Sequence, residues 1–364
     1  MQPRHPVFLA TLLTAAACGG AHEATPGGAI ITDSLLTLGA STDSGALTAW
    51  PSAVRAIHSG FVVSSSPVPP RGADELLPHL YDRRGHFTRM LGRRGDGPGE
   101  FQIPTVWDTL PGDSLLVTDL RRPSATILSA DGAFGRSFPL LGGARQVVVT
   151  ADGDLVVNAP YNGLGSTWAP LVRTDRQGTV KVTFGGDSAG CGRYCGELGG
   201  RALVADADGG VWAAWQLKAY VLEHYDHRGR LIRRFRPSAT WFAQIDSFPP
   251  PAGDQHPPSM IQGLQQDAAG HLWIIASTAD PHWERGLGPA KPGEGGRAYR
   301  PVTDIAAYLD GVIEVRDTVT GALLATRRFP LSGLLPVGPT LIAQIRTNED
   351  GAYLVDLLRM SLRQ

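Results

Sequence analysis

One pattern recurs along almost the whole chain: two short strands hinged on a glycine, in two kinds that alternate. The first kind alternates apolar and polar residues, breaks at a glycine and resumes as a strongly apolar strand. Val147–Asn158, Ala202–Ala213, Leu264–Ala276 and Ile345–Asp356 are of this kind, with looser copies at Val54–Ser65 and Val106–Asp119. The second kind has a polar turn ending in glycine, between strands that finish on a large apolar residue. These are Leu80–Leu91, Leu128–Phe138, Val172–Phe184, Glu223–Phe235 and Val315–Phe329. A period of two gives strands, and glycine supplies the positive φ that tight hairpins need.

Because the kinds alternate, each pair makes one four-stranded unit. The second-kind glycines fall at 85, 132, 178 and 229, separated by 47, 46 and 51 positions. That spacing is near the period of propeller blades, and sandwiches show no such regularity. Gly321 comes late because two long loops intervene. Five units are complete, and a half unit remains: the hairpin at Gly351 followed by Arg359–Gln364. A ring ending on a half blade would leave an open strand edge. Ile30–Leu38, an orphan strand before the first unit, supplies the remedy as the outermost strand of the last blade. The sequence therefore predicts an all-β, six-bladed propeller of four-stranded antiparallel blades over residues 30–364.

Composition agrees. The 45 glycines and 28 prolines are spread along the 364 residues, which suits many turns and no long helices. A hydrophobic content of 42% provides a core. With 33 basic against 34 acidic residues and no basic block, nothing favours a nucleic-acid partner.

The amino terminus reads as an address. Arg4 and His5 precede Val7 to Ala17, apolar or small throughout, then Cys18-Gly19-Gly20. The run is too short to span a bilayer and suits a secretory signal. Ala15-Ala16-Ala17-Cys18 resembles a bacterial lipobox, which implies cleavage before Cys18 and lipid on that residue; an ordinary A-x-A cleavage site is the alternative. Residues 1–18 are thus expected to be the signal with its lipidated cysteine, and 19–29 a flexible tether. The expected location is the bacterial cell envelope, on the periplasmic face of the outer membrane or the cell surface. The membrane is met through the lipid alone.

Cys191 and Cys195 remain, close enough to bridge within Cys-Gly-Arg-Tyr-Cys. A loop disulfide is the expected state in an oxidising compartment. A zinc pair completed by His224 and His227 is the alternative.

Gly92-Arg93-Arg94-Gly95-Asp96-Gly97-Pro98-Gly99-Glu100-Phe101, then Pro104, Asp113 to Asp119 and Ile127 to Phe138, resemble an NHL-type repeat. More particularly they are similar to the bacterial six-bladed β-propeller lipoproteins, related in architecture to TolB-like propellers. The family's Gly-rich connector, strand ending in Asp and outer hairpin with a D-G turn occur here in that order. Leu120-Arg121-Arg122-Pro123 replaces the Asn and Arg residues common after that Asp. Read from the residues alone, the connector's glycines let the chain pass close over neighbouring backbone, with Phe101 and Pro104 plugging the blade entrance. A phosphate cradle would need a helix to follow, and a strand follows.

In such a blade the first–second and third–fourth turns lie on one rim. The long loops, among them Pro237–Met260 and Ser277–Asp310, all fall on the other. Loops of that length usually carry binding roles. Trp241, His256, Trp283, Arg285, Tyr299 and Arg300 are the candidate ligand- or partner-binding residues there, since aromatics with Arg give contact area and direction. The same rings could instead staple their own loops to the rim. Asp119 and Asp356, each ending a second strand, read as turn acceptors.

No G-x-S-x-G elbow, H-E-x-x-H helix or P-loop is present, and no catalytic residue is assigned. The leading expectation is a monomeric, lipid-anchored module that binds an envelope protein or small ligand, with no cofactor. The alternative is a metal-dependent hydrolase or lyase, lactonase-like, holding calcium or zinc at the mouth of the axial channel. That alternative rests on fold analogy.

Overall fold

The structure is a computed structural model that describes residues 27–40, 45–66, 76–110, 112–140, 144–159, 169–247, 255–292, 298–330 and 333–363. Cys18, most of the tether, Phe248 and Arg297 lie outside the described residues.

Six four-stranded antiparallel sheets radiate around one axis. Blade 1 runs Trp50–Ile57, Gly60–Ser66, His79–Asp82 and Phe87–Met90, from the innermost strand outward. Blades 2, 3, 4 and 5 begin at Pro104, Gln146, Arg201 and Met260 and end at Pro139, Phe184, Phe235 and Phe329. Blade 6 joins the chain ends: Leu334–Gly338, Leu341–Thr347 and Tyr353–Arg363, with Ala29–Leu38 as its outermost strand. That last pairing runs from Ala29 opposite Arg363 to Leu38 opposite Val355. The ring is closed by the amino-terminal strand, as the orphan strand implied.

Blade 6 differs from the sequence reading in one respect. The pattern made the Gly351 hairpin its first and second strands; in the structure these are the second and third. The innermost strand is Leu334–Gly338, and Tyr353–Arg363 runs unbroken through the segment expected as a separate strand. The Gly351 turn therefore lies on the rim of the long connections. The physical reason is local. The innermost strand is short, contains Pro336, and turns into Leu341 with no glycine at positive φ but with Thr340 at φ 61°. The signal that marked every other first hairpin is absent there.

Apolar side chains pack between blades rather than within them. Trp273, Ile275, Ile313 and Phe329 of blade 5 meet Ile30, Leu334, Ile342 and Met360 of blade 6. Equivalent clusters fill the other five junctions. Burying both faces of each sheet is what makes the second strands so uniformly apolar.

Innermost strands do not pair with each other, so hydrogen bonds across the gaps have to come from other groups. Arg55 reaches the Trp107 carbonyl of blade 2 and the Pro336 carbonyl of blade 6, the latter at 3.1 Å. Asp108 accepts the Val149 N–H at 2.7 Å, and Gln146 holds Leu203 through both ends of its amide. Ile261 N–H donates to the Gln216 carbonyl, and Gln265 Nε2 donates to the Leu341 carbonyl at 2.6 Å. Every junction of the ring is crossed.

The tight turns share a device that the glycines alone did not reveal. Asp82, Asp175, Asp206, Asp226 and Asp267 each stand three residues before the turn glycine. Each accepts the N–H groups two and four residues on, at 2.8 to 3.0 Å. An Asp side chain folding back on its own turn is the expected Asx geometry.

Candidate functional site

Two cavities share Trp107 as a lining residue, one on the axis and one beside it. The larger, about 420 Å³, opens on the long-connection rim between blades 1, 2 and 3. It is lined by Ser65, Thr105 and Thr118, the apolar Ile103 and Leu140, and Arg121. Trp107 donates its indole N–H to Thr118 Oγ1 at 2.7 Å, which fixes the ring between the cavities.

Two groups in the larger cavity have no partner among the described residues. Ser65 is 1% exposed, yet its Oγ makes no hydrogen bond. Its neighbour Ser64 is equally buried, but its Oγ accepts the Val106 N–H at 2.9 Å. Arg121 is exposed, and its guanidinium touches no carboxylate or carbonyl, whereas Arg122 is bound to Asp96 and to the Gly95 carbonyl. A buried hydroxyl left unpaired costs about 1–3 kcal/mol, so Ser65 invites an explanation. Beside Arg121, Leu120 stands 69% exposed at the mouth. Asp119 lines the cavity as well, but its carboxylate is filled by the N–H groups of Gln102, Ile103 and Arg121.

Sequence reasoning missed this site. One signal was present: Ser64-Ser65-Ser66 ends an otherwise apolar, buried strand, and buried polar runs mark places where polar partners are required.

The residues singled out beforehand lie elsewhere on the same rim, over blades 4 and 5. Trp241 donates its indole N–H to Glu314 Oε1 at 2.5 Å and packs on Tyr220, so its polar end is spent inside the protein. Trp283 packs edge-on against both His256 and Tyr308, and Tyr308 donates to the Gln255 carbonyl at 2.8 Å. Arg300 caps the carbonyls of Gly288, Leu287 and Glu284. Trp283 and Tyr308 thus join the two longest connections, while Trp241 fastens one of them to blades 4 and 5 and Arg300 braces the other from within. Arg285 and Tyr299 point to solvent, Tyr299 from the small hairpin Lys291–Pro292/Ala298–Tyr299. The structure brings Trp283 and His256 into contact, leaves Trp241 in the connection between blades 4 and 5, and places Arg285, Tyr299 and Arg300 in the connection within blade 5.

Cys191 and Cys195 are joined in a disulfide, their Cα atoms 5.0 Å apart. Asp187 lies beside the two sulfurs, and its carboxylate accepts the N–H groups of Cys191 and Gly192. His224 is not near them: it pairs with Asp206 and stacks on Trp212, so the alternative zinc set does not assemble.

The axial channel does not suit a divalent ion either. Among the described residues its lining holds one carboxylate, Asp108, whose oxygens accept the N–H groups of Val149 and Thr109. Arg55 lies nearby. Burial, outweighing those N–H groups and Arg55, pushes the Asp108 carboxyl above its ordinary value. The same burial lowers Arg55.

No family model matches the chain, and no curated protein matches it. Solved structures do. A protein from Bacteroides fragilis whose name calls it exported shares 12% identity over 92% of this chain and 96% of its own, with a TM-score of 0.59. A member of the DUF4221 family from Bacteroides vulgatus shares 9%, over 92% and 99%, with a TM-score of 0.57. Virginiamycin B lyase from Staphylococcus aureus is a weaker likeness, 10% over 91% and 99%, with a TM-score of 0.46. At these identities the likeness is one of fold. Among the described residues no helix is long and apolar enough to cross a membrane.

Proposed function

We propose that this propeller is an exported, lipid-anchored envelope module that captures a small anionic ligand with an apolar portion. The ligand would sit in the cavity between blades 1, 2 and 3. One observation carries the reading: a buried hydroxyl without a partner and an arginine without a partner share a cavity of about 420 Å³. Arg121 would meet the charge, Ser65 would complete a polar contact inside, and Ile103, Leu120 and Leu140 would cover the apolar part. Surfaces of this composition, concave and largely apolar with a few placed polar groups, are the usual form of ligand sites. The position on the long-connection rim agrees with the asymmetry visible in the sequence, and the exported name of one structural neighbour agrees with the signal-like amino terminus.

Octanoate and the uncharged octyl glucoside serve as probes by calorimetry, below their aggregation range. Octanoate should bind and octyl glucoside should not. Ser65→Ala separates a binding role from a packing role. It should raise the stability of the free protein, because an unpaired buried hydroxyl is removed, while weakening octanoate. Equal binding of both probes, or octanoate binding untouched by Arg121→Ala, would refute the reading. Anchoring is checked apart: Cys18→Ser should move the protein from the membrane fraction to the soluble one.

A further inference from the structure

The second cavity lies at the other end of Trp107 and opens on the tight-turn rim. It measures about 260 Å³ and is lined by the innermost strands of all six blades. It contains one cationic and one anionic side chain, Arg55 and Asp108. Each feels the other's field, yet the two are not joined in an ion pair; both lie deep among protein atoms while touching the interior space.

The remaining bonds of these residues show what is left open. Arg55 spends Nε on the Trp107 carbonyl and Nη1 on the carbonyls of Val54 and Pro336. Nη2 has no partner among the described residues. Asp108 accepts one N–H on each oxygen, so each keeps a free lone pair. Gln265 is 3% exposed and gives Nε2 to Leu341, but its Oε1 is buried without a partner. Gln266 lines the same space and makes no side-chain hydrogen bond among the described residues.

Opposite charges held apart in a cavity are costly when each is left alone. One kind of molecule satisfies both at once. We propose that this end of the channel binds a compact zwitterion, a free α-amino acid. Its carboxylate would lie on Arg55 Nη2, and its ammonium would donate to Asp108 and to Gln265 Oε1. The cavity has room for roughly eight waters' volume, which admits a free amino acid such as glycine or alanine. The site is distinct from the anion cavity above Trp107, and neither proposal depends on the other.

Calorimetry on the full chain tests it with glycine and L-alanine against acetate and methylammonium, the two halves supplied separately. The amino acids should bind about tenfold or more tightly than either half, the change expected when one charge-assisted contact is lost. Arg55→Gln should abolish amino-acid binding. Because Arg55 also bridges three blades, that variant is read only if it melts cooperatively. Asp108→Asn keeps the side-chain shape and decides the case independently: it should leave acetate and glycine binding alike. Acetate binding the wild-type protein as tightly as glycine would make this an anion site and overturn the proposal. So would the absence of heat with both amino acids, or an unchanged glycine preference in Asp108→Asn.

Discussion

The hydroxyl of Thr37 donates to Asp356 Oδ1 at 2.5 Å, tying together residues 319 positions apart. On the other side of the same strand Arg346 Nε donates to Asp356 Oδ2 at 2.6 Å. One carboxylate thus pins the amino-terminal strand and the second strand of blade 6 to the strand between them. Asp356→Ala should lower stability by about 1–3 kcal/mol, measured by urea unfolding. Removing residues 1–38 should do more. It bares the whole edge of Tyr353–Arg363, and an unpaired strand edge recruits other chains. Light scattering should show self-association of the shortened chain at concentrations where the full chain does not associate.

Glu314 is buried and fully engaged: Tyr220 and Trp241 each donate to it, and Arg316 Nε donates at 2.9 Å. Burial, with Glu314 beside it, raises the Tyr220 hydroxyl well above its ordinary value. Trp241 is therefore the clasp that holds the connection between blades 4 and 5. Trp241→Phe keeps the apolar contact with Tyr220 but takes away one donor. It should cost about 2–3 kcal/mol, since a buried charge loses a hydrogen bond. Chemical denaturation checks this, and limited proteolysis should then cut first between residues 237 and 259.

The sequence made the propeller legible because its turns admit few residues. Gly85, Gly132, Gly178, Gly229 and Gly321 all have φ between 73° and 85°, a region costly for side chains, so their spacing prints the blade period into the chain. The exception confirms the reason: blade 6 turns with Thr340, not its Gly338, at positive φ, so the turn leaves no matching pattern to read. The cavities were not legible. Ser65, Trp107 and Arg121 belong to two blades and three chain segments, and only the packing of blade 1 against blade 2 brings them together. The aromatic residues of the long connections were visible as a group. Which atoms of Trp241 or Arg300 are spent inside the protein depends on contacts such as Glu314 and Gly288, which no local pattern encodes.

Two glycines at positive φ separate backbone strain from crowding. Gly112 has φ 81° and nothing within 4 Å of where a Cβ would stand. Gly178 has φ 85°, and a Cβ there would lie 2.1 Å from the Pro139 carbonyl oxygen of the neighbouring blade. Gly112→Ala should cost about 1–2 kcal/mol, the left-handed penalty alone. Gly178→Ala should cost clearly more, because backbone rather than a flexible side chain must move. Paired thermal melts make the comparison, and equal losses would show that the blades shift freely against each other.

The turn aspartates give the fold an acid limit. At Asp82 the N–H of His86, then that of Arg84, holds the carboxyl below its ordinary value; at Asp175 the N–H groups of Thr179 and Gln177 do the same. At Asp226 burial pushes upward, but the Arg230 and Arg228 N–H groups and the Arg230 guanidinium prevail and bring it to about 2. A carboxyl whose folded value is depressed contributes stability above its unfolded value, and that contribution is lost as pH falls through the folded value. The window therefore runs from about pH 4, the unfolded value, down to about pH 2. Asn also accepts the turn N–H groups but does not titrate across this range. The combined variant Asp82→Asn, Asp175→Asn, Asp226→Asn should be less stable than the parent at pH 7. Its urea midpoint should then fall less steeply between pH 4 and pH 2, so that the two curves converge. Parallel curves through that interval would mean that these turns do not set the acid limit.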